Sequence, residues 1–200
     1  MSGISDLGLD SITKTSYYDP SQNKDVKLIT DATYPCHIKS VRENEVSVKG
    51  KYRAKVFNLN LQVDESCSKM EYQDNEGNTI SGSSFVGRAL YGRGVFLFLE
   101  PDEGDKFEAN PGANAGYFEF CNAIGIECPT TKIEVDGEEK EVKQLPTLSK
   151  DDLIGKPLLG KLKSSKYKDR DGNYQFTVKV MEFYKWEDGV EKLFDEDIPF

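Results

Sequence analysis

The sequence predicts a mainly β protein: a five-stranded barrel with one helix between its third and fourth strands, loop insertions, and a disordered acidic tail. Three features predict it. From Thr33 onward the chain breaks into short segments rich in Val, Ile, Tyr, Phe and Thr, separated by Gly, Asn and Asp. Only one stretch, Asn114 to Gly125, repeats its apolar residues (Tyr117, Phe120, Cys121, Ile124) at helical spacing. In the segment after Lys49, apolar alternation changes phase beyond Val56, as expected of the bent strands that a small barrel needs.

Taken in order, residues 1–30 are polar with scattered apolar positions and read as an N-terminal arm. Strands are expected near 33–41, 46–63 and 84–99. In the second, Tyr52, Ala54 and Val56 alternate with Lys51, Arg53 and Lys55, after which Phe57, Leu59, Leu61 and Val63 take over, implying a bulge or bend. The turn Asn110-Pro111-Gly112 precedes the helix and Gly125 ends it. Residues 130–146 read as an acidic loop or small hairpin. Strands at 156–167 and 173–184 form a hairpin turned by Asp169-Arg170-Asp171-Gly172-Asn173. Three strands, a helix and two strands is the element order of the oligonucleotide/oligosaccharide-binding barrel, the OB-fold, whose faces and loops hold single strands. The barrel domain is expected over 31–186, with a tail over 187–200.

Composition narrows the function. With 37% hydrophobic and 30% charged residues and no apolar run of membrane-spanning length, the chain has no predicted membrane role. The first ten residues lack a basic n-region and an apolar h-region, so a cytoplasmic location is expected, host cytoplasm for a viral protein. Cys36, Cys67, Cys121 and Cys128 lack CxxC spacing and are expected to be reduced thiols, and no metal site or cofactor is predicted. No phosphate loop, HExxH motif or partnered catalytic His37 is present, which argues against an enzyme; acidic pairs such as Asp102/Glu103 and Asp151/Asp152 read as solvated loop residues. The net charge is −9, of which −5 falls on residues 187–200 alone. A basic face can therefore coexist with a negative total, because fields fade over a Debye length of about 8 Å.

Three clusters combine cations with aromatic rings, the pairing that holds phosphates and stacks bases. Lys49, Lys51, Arg53 and Lys55 alternate with Tyr52; Arg88, Tyr91 and Arg93 lie among glycines; Lys161, Lys163, Lys166, Lys168 and Arg170 surround Tyr167. Each could instead be a solvated strand face that resists aggregation. A continuous groove joining Lys51, Arg53, Lys161 and Lys163 is expected. Phe57, Phe96, Phe98, Tyr174 and Phe176 sit at apolar-parity positions and are expected in the core, while Trp186 fits equally a packing lid or a stacking platform.

The segment Phe194-Asp195-Glu196-Asp197-Ile198-Pro199-Phe200 places carboxylates before an apolar, proline-stiffened end, the shape of a docking peptide. On these seven residues the chain resembles bacterial-type single-stranded DNA-binding proteins, which end in acidic residues followed by Ile-Pro-Phe; Glu196 stands where the family has Asp. The central region looks broadly like phage-encoded members of that group, lacking the long linker of the compact bacterial form, and a homo-oligomer stays open. The resemblance implies a non-catalytic protein that sheathes single-stranded DNA in replication, recombination and repair. It also implies that Asp195, Glu196, Asp197, Ile198, Pro199 and Phe200 recruit replication and recombination partners. The carboxylates resemble a polyphosphate, so the tail is further expected to compete with DNA for the protein's own basic groove. The alternatives are a protein–protein adaptor and a recombination mediator built on the same barrel.

Overall fold

The computed structural model describes residues 27–135 and 137–194. Most of the expected N-terminal arm and the acidic segment 195–200 lie outside the described residues. The chain is mainly β. Its strands are β1 (Thr33–Val48), β2 (Tyr52–Val63), β3 (Glu71–Gln73), β4 (Thr79–Ser81), β5 (Ala89–Tyr91) and β6 (Val95–Phe98), followed by helix α1 (Ala115–Ala123). Then come β7 (Thr130–Val135), β8 (Glu138–Lys143), β9 (Pro157–Lys168) and β10 (Tyr174–Tyr184).

One six-stranded sheet carries the fold, in the order β10-β9-β1-β2-β5 with β6 also on β2. β1 is long enough to serve two neighbours. Its residues 33–37 pair with β9, and from Cys36 onward it pairs with β2, with a register slip between Ile38 and Ser40 that bends it from one neighbour to the other. The two flanks of the sheet meet at a single parallel bridge, Gly92 with Val180, where the Arg93 N–H donates to the Val180 carbonyl over 2.8 Å. A continuous ladder between β5 and β10 is not formed, so the sheet itself is not a closed barrel.

Both inner faces and α1 supply the core. Tyr117 stacks on Phe57 with ring centroids 6.1 Å apart, and Phe120 meets Phe183 edge-on at 5.4 Å. The Tyr117 hydroxyl donates to the Pro146 carbonyl over 2.9 Å, which ties the segment after β8 to the helix. The buried Asn114 side chain satisfies both backbone groups of Phe98, fixing the start of α1 along the β6 edge. The four cysteines are buried and unbridged, and burial pushes the Cys121 thiol up to about 12.

Several expected boundaries change. The first strand does not stop at 41 and the second does not begin at 46, because Lys49 and Gly50 both adopt positive φ (55° and 66°) and turn the chain there. Two left-handed residues in sequence make the type I′ geometry that joins twisted strands. The expected strand at 84–99 is divided into β5 and β6, with Gly87 at φ 75° and Gly92 and Gly94 packed so closely that a Cβ there would stand only 3.1–3.2 Å from the Leu59, Val56 and Phe96 side chains. No slip in the β1–β2 ladder accompanies the phase change after Val56. Val56 and Phe57 are both buried, because Gly94 and Phe96 cover one face of β2 while Tyr117 covers the other. The β3–β4 hairpin was not foreseen; β7–β8 is the small hairpin read at 130–146.

At Gly82 an added Cβ would lie 1.9 Å from the Cys67 carbonyl oxygen and 2.9 Å from that of Met70. Backbone cannot give way as a side chain can. Gly82→Ala is expected to cost about 3 kcal/mol in urea denaturation; an unchanged midpoint would contradict this packing.

Candidate nucleic-acid interface

The cations of β2 do not face outward on a free surface. Lys51, Arg53 and Lys55 share strand parity with Phe57, Leu59 and Leu61, which places them at the end of the core-facing side. There they are closed onto carboxylates. Arg53 bridges Asp102 at 3.1 Å and Asp105 at 3.5 Å, Lys51 bridges Glu108 at 2.9 Å, and Lys55 bridges Glu43 at 2.7 Å while donating to the Leu148 carbonyl. These carboxylates, Glu108 and Asp102 foremost, hold the Lys51 ammonium and Arg53 guanidinium above their ordinary pKa values. Lys49 sits in the turn. The opposite side of β2 is the aromatic one: Tyr52 meets Phe98 edge-on at 6.1 Å, and Phe96, opposite Val56, is exposed rather than core.

Lys161 and Lys163 are also engaged, 3.8 Å and 2.5 Å from Glu182. They pair into the structure at the other end of β1 from Arg53: Lys161 lies opposite Thr33, Arg53 opposite Ser47. Fourteen residues of strand separate those positions, about 46 Å of contour. Neither the cleft beside α1 nor the one at the base of the hairpin is lined by Lys51, Arg53, Lys161 or Lys163.

The distal half of the β9–β10 hairpin is different. Tyr174, Phe176 and Val178 pair with Lys168, Lys166 and Ser164, on the face that carries buried Val180 and Leu162 further in. Tyr174 and Phe176 were expected in the core, and the parity is right but the cover is missing. β1 begins opposite Lys161 and the bridge to β10 falls at Val180, so beyond these points the hairpin, among the described residues, is a two-stranded ribbon with no further strand beside it. Tyr174 is 59% exposed and Phe176 72%. The Lys166 ammonium lies 3.8 Å from the Tyr174 ring centroid and 5.8 Å from that of Phe176, with Lys168 5.1 Å from Tyr174. Among the described residues, neither lysine forms an ion pair. Tyr167, 52% exposed, points from the opposite face, and Arg170 lies in the turn that Asp169 organises by accepting from the N–H groups of Asp171 and Asn173.

Where this ribbon leaves the body of the fold it borders a cleft of about 840 Å³ lined by Ile29, Ile80, Leu90, Tyr91, Leu162 and Val178. Tyr91 is 64% exposed there. Arg88 is turned aside, its Nε donating to the Ser84 carbonyl, and Arg93 lines a separate cleft beside α1 with Gly116 and Phe120. Tyr91 therefore shares a cleft with Leu162 and Val178 at the base of the hairpin, and Arg93 and the β2 cations do not line it. A sequence signal for the exposed rings existed. A face carrying Ser164, Lys166 and Lys168 on one strand is too polar to be a buried partner for Val178, Phe176 and Tyr174 on the other.

Trp186 acts as a lid. Its half-buried indole meets the buried His37 ring at 5.5 Å, and His37 Nδ1 lies 3.2 Å from Asp64. No family model matches the sequence, and no curated protein matches it.

Glu182 accepts from Lys163 and from the Tyr184 hydroxyl, and these bonds, the lysine first, lower its pKa from 4.5 to about 2. The folded value lies below the unfolded one, so the stabilisation is complete above 4.5 and is lost as pH falls toward about 2. Glu182→Gln is expected to flatten the acid dependence of Tm across that interval; an acid limb identical to that of the unaltered protein would contradict the assignment.

Proposed function

We propose that this protein binds single-stranded DNA without strong sequence specificity, and that the open face of the β9–β10 hairpin is where the strand lies. The observation that carries this reading is the exposed pair Tyr174 and Phe176 with Lys166 and Lys168 over their rings and, among the described residues, no carboxylate paired with those charges. The energetics favour exchange. An exposed cation–ring contact is worth about 0.5–1 kcal/mol, whereas a base stacked on a ring contributes about 1–3 kcal/mol. A base can thus displace each ammonium from its ring, and the freed ammonium lies where the adjoining phosphate runs. Tyr91, exposed in the cleft at the base of the hairpin, offers a further ring.

The barrel reading is part of the proposal. The strand order β10-β9-β1-β2-β5, with a parallel contact between the β5 side and β10 and a helix between the third and fourth main segments, supports an OB-fold barrel closed at one bridge. A protein of this kind protects single strands during replication, recombination and repair. The segment Asp195 to Phe200 would recruit basic-rimmed partners. The uncovered apolar surface of Phe176 and Val178 also suits protein docking, the adaptor reading, and salt separates the two.

Titrating fluorescent oligo-dT at two ionic strengths is the test. Strand binding is expected to weaken with salt at a log-log slope of about −0.7 per neutralised phosphate. Replacing Tyr174 and Phe176 together by Ala is expected to cost about 1–3 kcal/mol per unstacked base without lowering Tm, since both side chains are exposed. Unchanged oligo-dT affinity in that variant refutes the assignment; salt-insensitive binding of protein partners alone favours the adaptor.

A further inference from the structure

The hairpin of β7 and β8 is a sheet of its own, not bonded into the main one, with Thr130 opposite Lys143, Lys132 opposite Glu141 and Val135 opposite Glu138. Two strands alone are marginal in water, and these carry little apolar cover: Lys132, Ile133 and Glu134 are all exposed. The pairing also holds a conflict. Glu134 lies directly opposite Glu139, and like charges so placed destabilise a ladder. Lys132 reaches diagonally to Glu139 over 3.2 Å, which leaves Glu134 without an ion-pair partner among the described residues.

Backbone parity decides which groups of β7 are free. The Gln144 N–H donates to the Pro129 carbonyl over 2.9 Å in the same register, so the bonded pairs are every second one: Thr131 with Val142, Ile133 with Lys140 and Val135 with Glu138. The N–H and C=O groups of Thr130, Lys132 and Glu134 therefore point out along the other edge, where no strand takes them up among the described residues. Such an edge is a template for another strand.

This edge is complementary to itself. Laid antiparallel on a second copy about a two-fold axis through Ile133, Lys132 falls opposite the partner's Glu134 and Glu134 opposite the partner's Lys132. Both are outward-pointing positions, so each pair exchanges its N–H···O bonds as well as matching its charges. Between them Ile133, 42% exposed, meets the partner's Ile133 at the closely spaced position where side chains approach nearest. Moving the axis by one residue sets Lys132 on Lys132 or Glu134 on Glu134, so charge selects the register. The outer edge of β8 lacks this property: an axis through Lys140 sets Glu139 on Glu141, and one through Glu141 sets that residue on itself.

We propose that β7 is a self-association edge: two copies of this chain pair β7 to β7 about Ile133, and each Glu134, opposed in its own hairpin by Glu139, gains the partner's Lys132. The interface is independent of where a single strand binds. With six residues a side it buries little area, and the association is concentration-dependent rather than permanent.

Sedimentation velocity of the full chain without DNA, from about 5 to about 500 µM, is expected to show a monomer–dimer equilibrium. Lys132→Glu and Glu134→Lys each set like charges face to face at both symmetry-related positions, and each alone is expected to stay monomeric. An equimolar mixture of the two variants restores an opposite pair at both positions and is expected to dimerise as the unaltered protein does. Two hairpins that had merely lost their fold could not rescue each other. Amide hydrogen exchange is expected to slow at Lys132 and Glu134 as concentration rises. A chain monomeric throughout, a dimer that both variants keep, or a mixture that stays monomeric overturns the inference, as does slowed exchange at Glu139 and Glu141 in place of Lys132 and Glu134.

Discussion

β1 is shared between two neighbours, and that sharing constrains everything else. Cys36 and His37 are paired on both sides at once, to β9 through Leu158 and Pro157 and to β2 through Val63 and Gln62. The register slip after Ile38 then carries β1 away from β9 and along β2 for ten more residues. β1 leaves β9 at the Pro157 end; at the other end β1 begins at Thr33, opposite Lys161, and the pairing runs on only to Leu162 through Asp31 and Ala32, so among the described residues the hairpin beyond has no third strand beside it. Leaving a Phe or Val side chain unburied forgoes about 1.5–3 kcal/mol each, so this ribbon holds a surface whose burial can be supplied by a ligand.

Charge is sorted by the same geometry. The cations nearest the body of the fold, Lys51, Arg53, Lys55, Lys161 and Lys163, all have a carboxylate within 4 Å, and much of their field is spent locally. Lys166 and Lys168, on the ribbon, face rings instead of acids. An anionic total of −9 is therefore compatible with a local positive field at the ribbon. Residues 186–194 close the other end of β9 around His37.

The sequence made the β character, the helix and the last hairpin legible, because each rests on local signals: alternation in Tyr174 to Val180, helical spacing from Tyr117 to Ile124, and the Asp-Gly-Asn turn. It was less informative wherever the outcome depends on which strand lies opposite. Alternation correctly put Tyr174 and Phe176 on the inward side, but burial needs a second layer, and where β1 begins beside β9 is a tertiary fact. Likewise the alternation of Lys51, Arg53 and Lys55 was plain, whereas their closure by Asp102, Asp105 and Glu108 depends on a loop some fifty residues away in the chain. The turn at Lys49 and Gly50 was legible in principle from Lys-Gly between two polar-alternating runs, but a single glycine also fits a bulge. Trp186 could not be assigned from sequence, since its partner His37 is brought to it only by the pairing of β1 with β9.

Where an unpaired strand touches the protein is the direct question, and photocrosslinking of 5-iodouracil-substituted oligo-dT to the full chain, mapped by mass spectrometry, answers it. The account predicts adducts at Tyr174, Phe176 and Tyr91. Adducts confined to Tyr52, Phe96 and Phe98 on the outer face of β2 and β6, or none on the hairpin, would contradict it.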